Sequence, residues 1–272
     1  MLFKKLNDSN EIPMIGLGTW KQTDKSACIN AVKMALELGY RHIDTAKTYL
    51  NHAYIGEAIR GYPRSKLYIT SKLVFDKMQV NLVESECDRY LMDLDANYLD
   101  LFLIHWPDRT KPMADILFQM SRLQEKGKVK SIGVSNFTVN HLKDMLNQKL
   151  KFQVNQVEYH PFLNQVELKE FCDHNNIAIE AYCPLARGKV IDDPSLLSLQ
   201  IKYKKNPAQI SLRWLIQKDL IVLPKGSSKE HLKENFNILN FEISKEDMHL
   251  IDNISNLRGK RLIIPEFADF EY

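Results

Sequence analysis

The chain has 272 residues, 44% hydrophobic and 26% charged, ordinary for a folded globular protein and unlike a disordered or low-complexity one. Lys and Arg total 37 against 34 acids; the resulting +3 is no footprint for nucleic acid, yet it is compatible with a local cationic pocket for an anionic ligand. The longest apolar stretch, Tyr98 to Trp106, is interrupted by Asp100 and falls short of the roughly 20 residues of a membrane span. Met1-Leu2-Phe3-Lys4-Lys5 has no apolar run after its charges, so no secretory signal is expected. Cys28, Cys87, Cys172 and Cys183 form no CxxC pair or zinc spacing and read as reduced thiols of a cytoplasmic protein.

In chain order, Phe3–Leu6 and Glu11–Ile15 flank Asn7-Asp8-Ser9-Asn10, which predicts a hairpin because Asn and Asp suit the turn. Short β-rich runs then begin near Met14, Arg41, Leu67, Leu99, Lys130, Gln153, Ile177 and Ile221. Between and after them, helical spacing predicts helices over Lys25–Leu38, Ala53–Arg60, Gln79–Leu94, Ala114–Lys126, Val139–Leu146, Gln165–Asn175 and Glu230–Leu239. Gly39 and Gly127 stand where two of these helices end. The long seventh interval holds further helical stretches, Pro194–Lys204 and Pro207–Lys218.

Eight strand–helix units imply parallel sheet with right-handed crossovers, and eight such units most naturally close as a (β/α)8 barrel. No Pro/Gly/Ser-rich linker divides them, so residues 1–272 read as a single domain. A doubly wound sheet would want Gly-x-Gly-x-x-Gly, but Gly16-Leu17-Gly18 runs into Thr19-Trp20-Lys21 with no third glycine.

Barrel chemistry sits at the C-terminal ends of strands. Those ends read Thr19-Trp20, His42-Ile43-Asp44, Thr70-Ser71-Lys72, His105-Trp106, Ser135-Asn136, Gln156-Val157-Glu158, Tyr182-Cys183 and Lys225-Gly226-Ser227. Within them Asp44, Lys72 and His105, with nearby Tyr49, form a set with one chemistry in common. A tyrosine is a poor acid near neutrality, a neighbouring ammonium lowers its pKa, and a carboxylate keeps that ammonium charged. A histidine can orient a carbonyl oxygen. Together they suit protonation of a carbonyl oxygen as hydride reaches its carbon, general acid catalysis worth about 10² to 10⁴ in rate.

Each residue also has a structural explanation by itself: Asp44–Lys72 as a buried ion pair, Tyr49 as a rim aromatic, His105 as a core histidine, Ser135-Asn136 as a helix cap. Their shared position at one barrel face favours the chemical reading. Lys72 as a Schiff-base lysine of a lyase is the rival enzyme class, which Asp44 opposes by keeping the amine charged. Glu158-Tyr159-His160 is not read as a metal pair, since no further ligands accompany it.

The sequence resembles the aldo-keto reductases over nearly its whole length. The resemblance rests on Gly16-Leu17-Gly18-Thr19-Trp20, Asp44-Thr45-Ala46 with Tyr49, Ser71-Lys72, Leu103-Ile104-His105-Trp106-Pro107 and Ile132-Gly133-Val134-Ser135-Asn136-Phe137. It continues through Asn155-Gln156-Val157-Glu158-Tyr159-His160-Pro161, Ala181-Tyr182-Cys183-Pro184-Leu185 and Leu223-Pro224-Lys225, and is similar to short-loop diketogluconate and aldehyde reductases of bacterial type. It implies a monomeric, NADPH-dependent reductase of small carbonyl substrates, with no metal. Tyr49 would be the proton donor, Lys72 and Asp44 its tuning pair, and His105 the carbonyl-orienting residue, with Trp20 and Trp106 also against the substrate. Ser135, Asn136 and Gln156 would hold the nicotinamide carboxamide, and Tyr182 would stack on the ring. Gly18, Thr19, Trp20, Asp44, Cys183, Leu185, Lys225, Gly226, Ser227, His231, Glu234 and Asn235 would complete the cofactor site.

Four departures from the family pattern bear on that reading. Gly226 replaces a usual serine, and His231 replaces an arginine that grips the 2′-phosphate, so NADPH preference should weaken and NADH use becomes possible. Lys225, Lys229 and the following helix N-terminus still favour an anion. Cys183 replaces a serine beside Tyr182, and Val74 stands where some relatives carry an aromatic pocket wall. The segment after His105 and the tail after Arg258 are short, which leads to an expectation of an open, permissive site. Outside catalysis, the alternative is a nucleotide-sensing barrel without turnover.

Overall fold

The computed structural model describes residues 1–272 apart from the side chain of Phe75. An antiparallel hairpin, β1 (Phe3–Lys5) and β2 (Glu11–Pro13), pairs Lys4 with Ile12. Its turn seals the N-terminal end of a barrel: Asn7 Nδ2 donates to the carbonyls of Phe152 and Asn176, both at 3.0 Å, and Ser131 Oγ donates to Asp8 at 2.7 Å. The second hairpin strand is shorter than the predicted Glu11–Ile15. Met14 and Ile15 already belong to the barrel seam, where they meet Val222.

The barrel strands are β3 (Gly16–Gly18), β4 (His42–Asp44), β5 (Tyr68–Leu73), β6 (Leu99–Ile104), β7 (Val129–Ser135), β8 (Val154–Glu158), β9 (Ala178–Tyr182) and β10 (Ile221–Leu223). Each pairs in parallel with its chain neighbour, in the order β3 to β10. The seam closes where Val222 N donates to Met14 O at 2.8 Å and Gly18 N to Pro224 O at 3.0 Å. Gly18 is required there, because a Cβ would lie 2.9 Å from the Leu223 carbonyl oxygen. The eight-stranded (β/α)8 architecture read from the sequence is therefore present.

Helices α1 (Lys25–Leu38), α2 (His52–Ile59), α3 (Val83–Leu94), α4 (Met113–Glu125), α5 (Val139–Asn147) and α6 (Val166–His174) alternate with the strands. The side chains of Asp24 and Thr138 cap α1 and α5, and Gly39 at φ 106° ends α1. The long seventh crossover contains α7 (Pro194–Tyr203) and α8 (Pro207–Gln217), each opened by a proline behind an Asp or Asn cap. Helix α9 (Lys229–Phe236) ends before the predicted Leu239, since Ile238 turns into the core. Two helices that periodicity did not disclose follow, α10 (Lys245–Asp252) and α11 (Ile254–Arg258). The readable signal for α10 was Ser244 with Asp247 three residues on: Ser244 Oγ accepts from Asp247 N. Among the described residues, no helix is long and apolar enough to cross a membrane.

Candidate active site

Alternation along parallel strands turns every second side chain inward, so the barrel interior is filled in layers. The lowest polar layer holds His42, Thr70 and Glu180. His42 Nε2 lies 3.0 Å from Thr70 Oγ1 and 3.5 Å from Glu180 Oε1. Burial pushes His42 down to about 4, and burial beside Asp44 pushes Glu180 up to about 8, so near neutrality neither group carries a charge.

One layer higher stand Asp44, Lys72 and Gln156. Lys72 Nζ donates to Asp44 Oδ1 at 2.7 Å, to the Thr45 carbonyl at 2.9 Å and to Tyr49 OH at 3.4 Å. Gln156 Nε2 donates to Asp44 Oδ1 at 2.8 Å and to Glu180 Oε2 at 2.9 Å, tying the two layers together. Burial works to lower the Lys72 pKa, but the Asp44 carboxylate overrides it, and the ammonium is held above its ordinary value. An amine kept protonated is a poor nucleophile, which argues against Schiff-base chemistry at Lys72.

Tyr49, in a short 3-10 turn (Lys47–Tyr49), and His105, just beyond β6, meet at the floor of a cavity of about 960 Å³ in the barrel mouth, their rings edge to face at 6.1 Å. The Lys72 ammonium does pull the Tyr49 pKa down, as the residue types imply. Desolvation is larger and the net shift is upward, so the phenol keeps its proton. Burial pushes His105 down to about 3, leaving a neutral imidazole.

On the far wall Ser135 Oγ donates to the Gln156 carbonyl at 2.8 Å. Asn136, at φ 65°, donates through Nδ2 to the His105 carbonyl at 2.9 Å and accepts from Tyr182 OH at 2.7 Å. One amide thus pins three strand ends. Trp20 and Trp106 line the same cavity, as do Gly18, Cys183 and Leu185. Lys225, Gly226, Ser227 and His231 form its outer end. A Cβ at Gly226 would sit 2.6 Å from Leu232 Cδ2 and 2.9 Å from its Cγ, a packing reason for glycine at that position.

Four of the sequence-predicted residues do not line the cavity. Lys72 lies beneath it and reaches it through Tyr49. Thr19 is fully buried and donates to the Asp44 carbonyl at 2.9 Å. Glu234 and Asn235 lie on α9 behind the outer end, where Asn235 Nδ2 faces the Lys225 carbonyl at 3.5 Å.

Sequence reasoning missed Lys21 and Arg187, whose cationic groups lie 4.8 and 5.3 Å from the Trp20 ring centre. Among the described residues, neither they nor Lys225 pairs with a carboxylate. It also missed the C-terminal tail, expected to leave its side of the site open. Short as it is, the tail forms a wall: Leu262, Ile263, Ile264, Pro265 and Phe267 all face the cavity, and Phe267 packs edge-on to Trp106 at 5.5 Å. No periodic pattern announces a segment without regular structure.

A closed parallel barrel with a mainly apolar cavity at the C-terminal ends of its strands, set with polar and cationic groups, defines the class: a barrel of the kind whose chemistry sits at that face. Within that class, the sequence pattern of the Aldo/keto reductase family matches residues 14–256. The chain is 40% identical to Aldose reductase B of Dictyostelium discoideum, covering 94% of this chain and 93% of that one. It is 38% identical to the Glyoxal reductase of Bacillus subtilis (strain 168), covering 92% of each. The crystal structure of MGS-M4, an aldo-keto reductase enzyme from a Medee basin deep-sea metagenome library, superposes with a TM-score of 0.92 at 38% identity, covering 99% of this chain and 100% of that one. The protein belongs to the aldo/keto reductase family and is an oxidoreductase.

Proposed function

We propose that this protein reduces small aldehydes and ketones, dicarbonyls among them, to alcohols with NADPH, and that Tyr49 is the proton donor. The carrying observation is Lys72 Nζ at 3.4 Å from Tyr49 OH, itself held at 2.7 Å by Asp44, with neutral His105 beside the same phenol. The residues fit a dinucleotide: Lys21, Arg187 and Lys225 line the cavity with no carboxylate partner among the described residues, as a diphosphate requires. Tyr182 is held by its hydroxyl with its ring in the same cavity, while Ser135, Asn136 and Gln156 stand together on the wall suited to an amide. Gly226 and His231 leave the outer end without an arginine fork, so NADH is accepted as well.

When bound, NADPH supplies the hydride. His105 donates a hydrogen bond that orients the substrate carbonyl over Tyr49. As negative charge gathers on the carbonyl oxygen, Tyr49 transfers its proton there. Lys72 stabilises the tyrosinate left behind, and Asp44 holds Lys72 charged and in register. Water then returns a proton to Tyr49. The four free cysteines accord with a reducing, cytoplasmic setting, and the single barrel is expected to work as a monomer.

The test is loss of reduced-nicotinamide absorbance with methylglyoxal and with a nitrobenzaldehyde, NADPH and NADH side by side. Turnover supports the reductase. Cofactor binding without turnover on a broad carbonyl panel would favour a sensing role instead.

A further inference from the structure

Glu158 closes β8, two residues beyond Gln156 on the same inward face, and is fully buried. Its carboxylate has no part in the proposed chemistry. Oε1 accepts from Leu262 N at 2.7 Å and Oε2 from Ile263 N at 2.9 Å, while His160 Nε2 lies 2.8 Å from Oε1. The loop after β8 adds three further ties. Gln165 Nε2 donates to the Glu158 carbonyl at 2.6 Å, Arg261 Nη2 donates to Gln165 Oε1 at 3.1 Å, and Lys260 N donates to the Phe162 carbonyl at 2.8 Å. Residues 260 to 263 are thus stitched to one loop, and the next residues form the apolar wall that includes Phe267.

The far end of the tail is attached differently. Arg109 Nε donates to Asp269 at 2.6 Å across a half-exposed contact, and Tyr272 OH donates to Asp144 at 2.8 Å. Exposed ion pairs of this kind contribute little. A buried carboxylate that accepts two backbone N–H groups is the stronger fixture. Burial by itself would raise the Glu158 pKa, but His160 and the two amides outweigh it and keep the group ionised.

We propose that Glu158 is a positioning residue for substrate selection: by clamping the backbone of Leu262 and Ile263 it seats the tail wall, and so favours aldehydes with an apolar body over the smallest carbonyls. The inference rests on the carbonyl-reductase reading of the same cavity. Two acceptor oxygens are essential to the clamp. Glutamine at this position keeps one oxygen and sets an N–H₂ donor against a backbone donor, which opens one of the two bonds.

The experiment compares wild type with E158Q in two readouts. Amide hydrogen exchange of the peptide spanning residues 259–267 should accelerate in E158Q, and this requires no activity. The kcat/KM ratio of a nitrobenzaldehyde to methylglyoxal should fall about tenfold, mainly through KM of the aromatic substrate, with the NADPH dissociation constant unchanged. E158D, which keeps the buried charge but shortens the side chain and so withdraws the carboxylate from the tail, should move both readouts the same way. It serves also if E158Q does not fold. Faster exchange with an unchanged ratio, or equal losses on both substrates, overturns the proposal, as does unchanged exchange. A wild-type protein without turnover whose tail is nonetheless released in E158Q retains the clamp and removes the reductase reading instead.

Discussion

Asp44 and Glu180, on strands that are not hydrogen-bonded neighbours, are joined through a single amide: Gln156 Nε2 donates to Asp44 Oδ1 at 2.8 Å and to Glu180 Oε2 at 2.9 Å. Asp44 is hydrogen-bonded to an ammonium, whereas Glu180 is hydrogen-bonded to an amide beside a neutral imidazole and feels Lys72 only at longer range. Burial beside Asp44 therefore leaves Glu180 protonated up to about pH 8. The layer of Asp44, Lys72 and Gln156 thus rests on an uncharged acid, and its charge is confined to the Asp44–Lys72 pair.

That pairing has a pH signature. An unfolded glutamate titrates near pH 4.3, roughly, so between that value and about 8 folded Glu180 holds a proton that the unfolded chain has released. Its contribution to stability is full below the unfolded pKa and is lost as pH rises through about 8. Melting temperatures from about pH 6.5, above which the histidines no longer contribute, to about pH 9 should fall in wild type and fall less in Glu180→Gln. Parallel curves for the two proteins would place the alkaline sensitivity elsewhere.

Acid acts through the histidines. Burial holds His42 down to about 4, and His52 and His105 to about 3, so at pH below about 6.5 the unfolded chain takes up protons that the folded chain refuses. Stability should drop as pH falls from about 6.5 towards 3. Replacing His52, which bonds Ser71 Oγ at 3.0 Å outside the Asp44–Lys72 layer, with Gln should reduce that drop in urea unfolding series. An unchanged acid limb would count against the neutral His52 described here.

Tyr49→Phe removes the proposed proton donor and leaves the cationic groups of the cavity in place. Carbonyl reduction should decrease by about 10² to 10⁴, while NADPH affinity stays near wild type in fluorescence titration. Near-normal turnover would reassign the acid.

Asp44→Asn should be costly to the fold itself. Lys72 is only 1% exposed, and loss of its carboxylate leaves a buried ammonium unpaired, a destabilisation of about 3–5 kcal/mol. Chemical denaturation measures it directly. A loss below about 1 kcal/mol would mean that the Thr45 carbonyl and the Tyr49 hydroxyl suffice for Lys72.

His231→Arg should tighten NADPH relative to NADH, because a fork able to grip a phosphate would be worth about 1.5–3 kcal/mol, roughly ten- to a hundredfold in the affinity ratio. The two dissociation constants report this without turnover. An unmoved ratio would assign the phosphate to Lys225 and its neighbours.

Most of the fold was legible in the sequence. Strand–helix alternation and helical spacing are local signals, and they recovered the barrel units with boundaries shifted by a few residues. The helix predicted over Gln79–Leu94 divides into a short 3-10 turn at Val80–Leu82 and α3. The candidate catalytic residues were legible for a related reason, since parallel strands all present their C-terminal ends at one face. Asp44, Lys72 and His105 stand close to such ends, and Tyr49 stands near Asp44 in the chain.

Other features depended on closure of the barrel. Glu180 drew no reading in the sequence, and Glu158 stood only as a strand-end residue in a Glu158-Tyr159-His160 run not read as a metal pair. Their partners lie on other strands or in an aperiodic tail: His42 across the barrel interior, and Leu262 and Ile263 more than 100 residues along the chain. Desolvation likewise decided the direction of the Tyr49 shift, against the ammonium that sequence reasoning placed beside it. Periodicity determined which elements form and which face each strand turns inward, because those follow from backbone geometry alone. Only the tertiary structure decided which inward groups meet and how dry they are, because both depend on contacts between residues far apart in the chain.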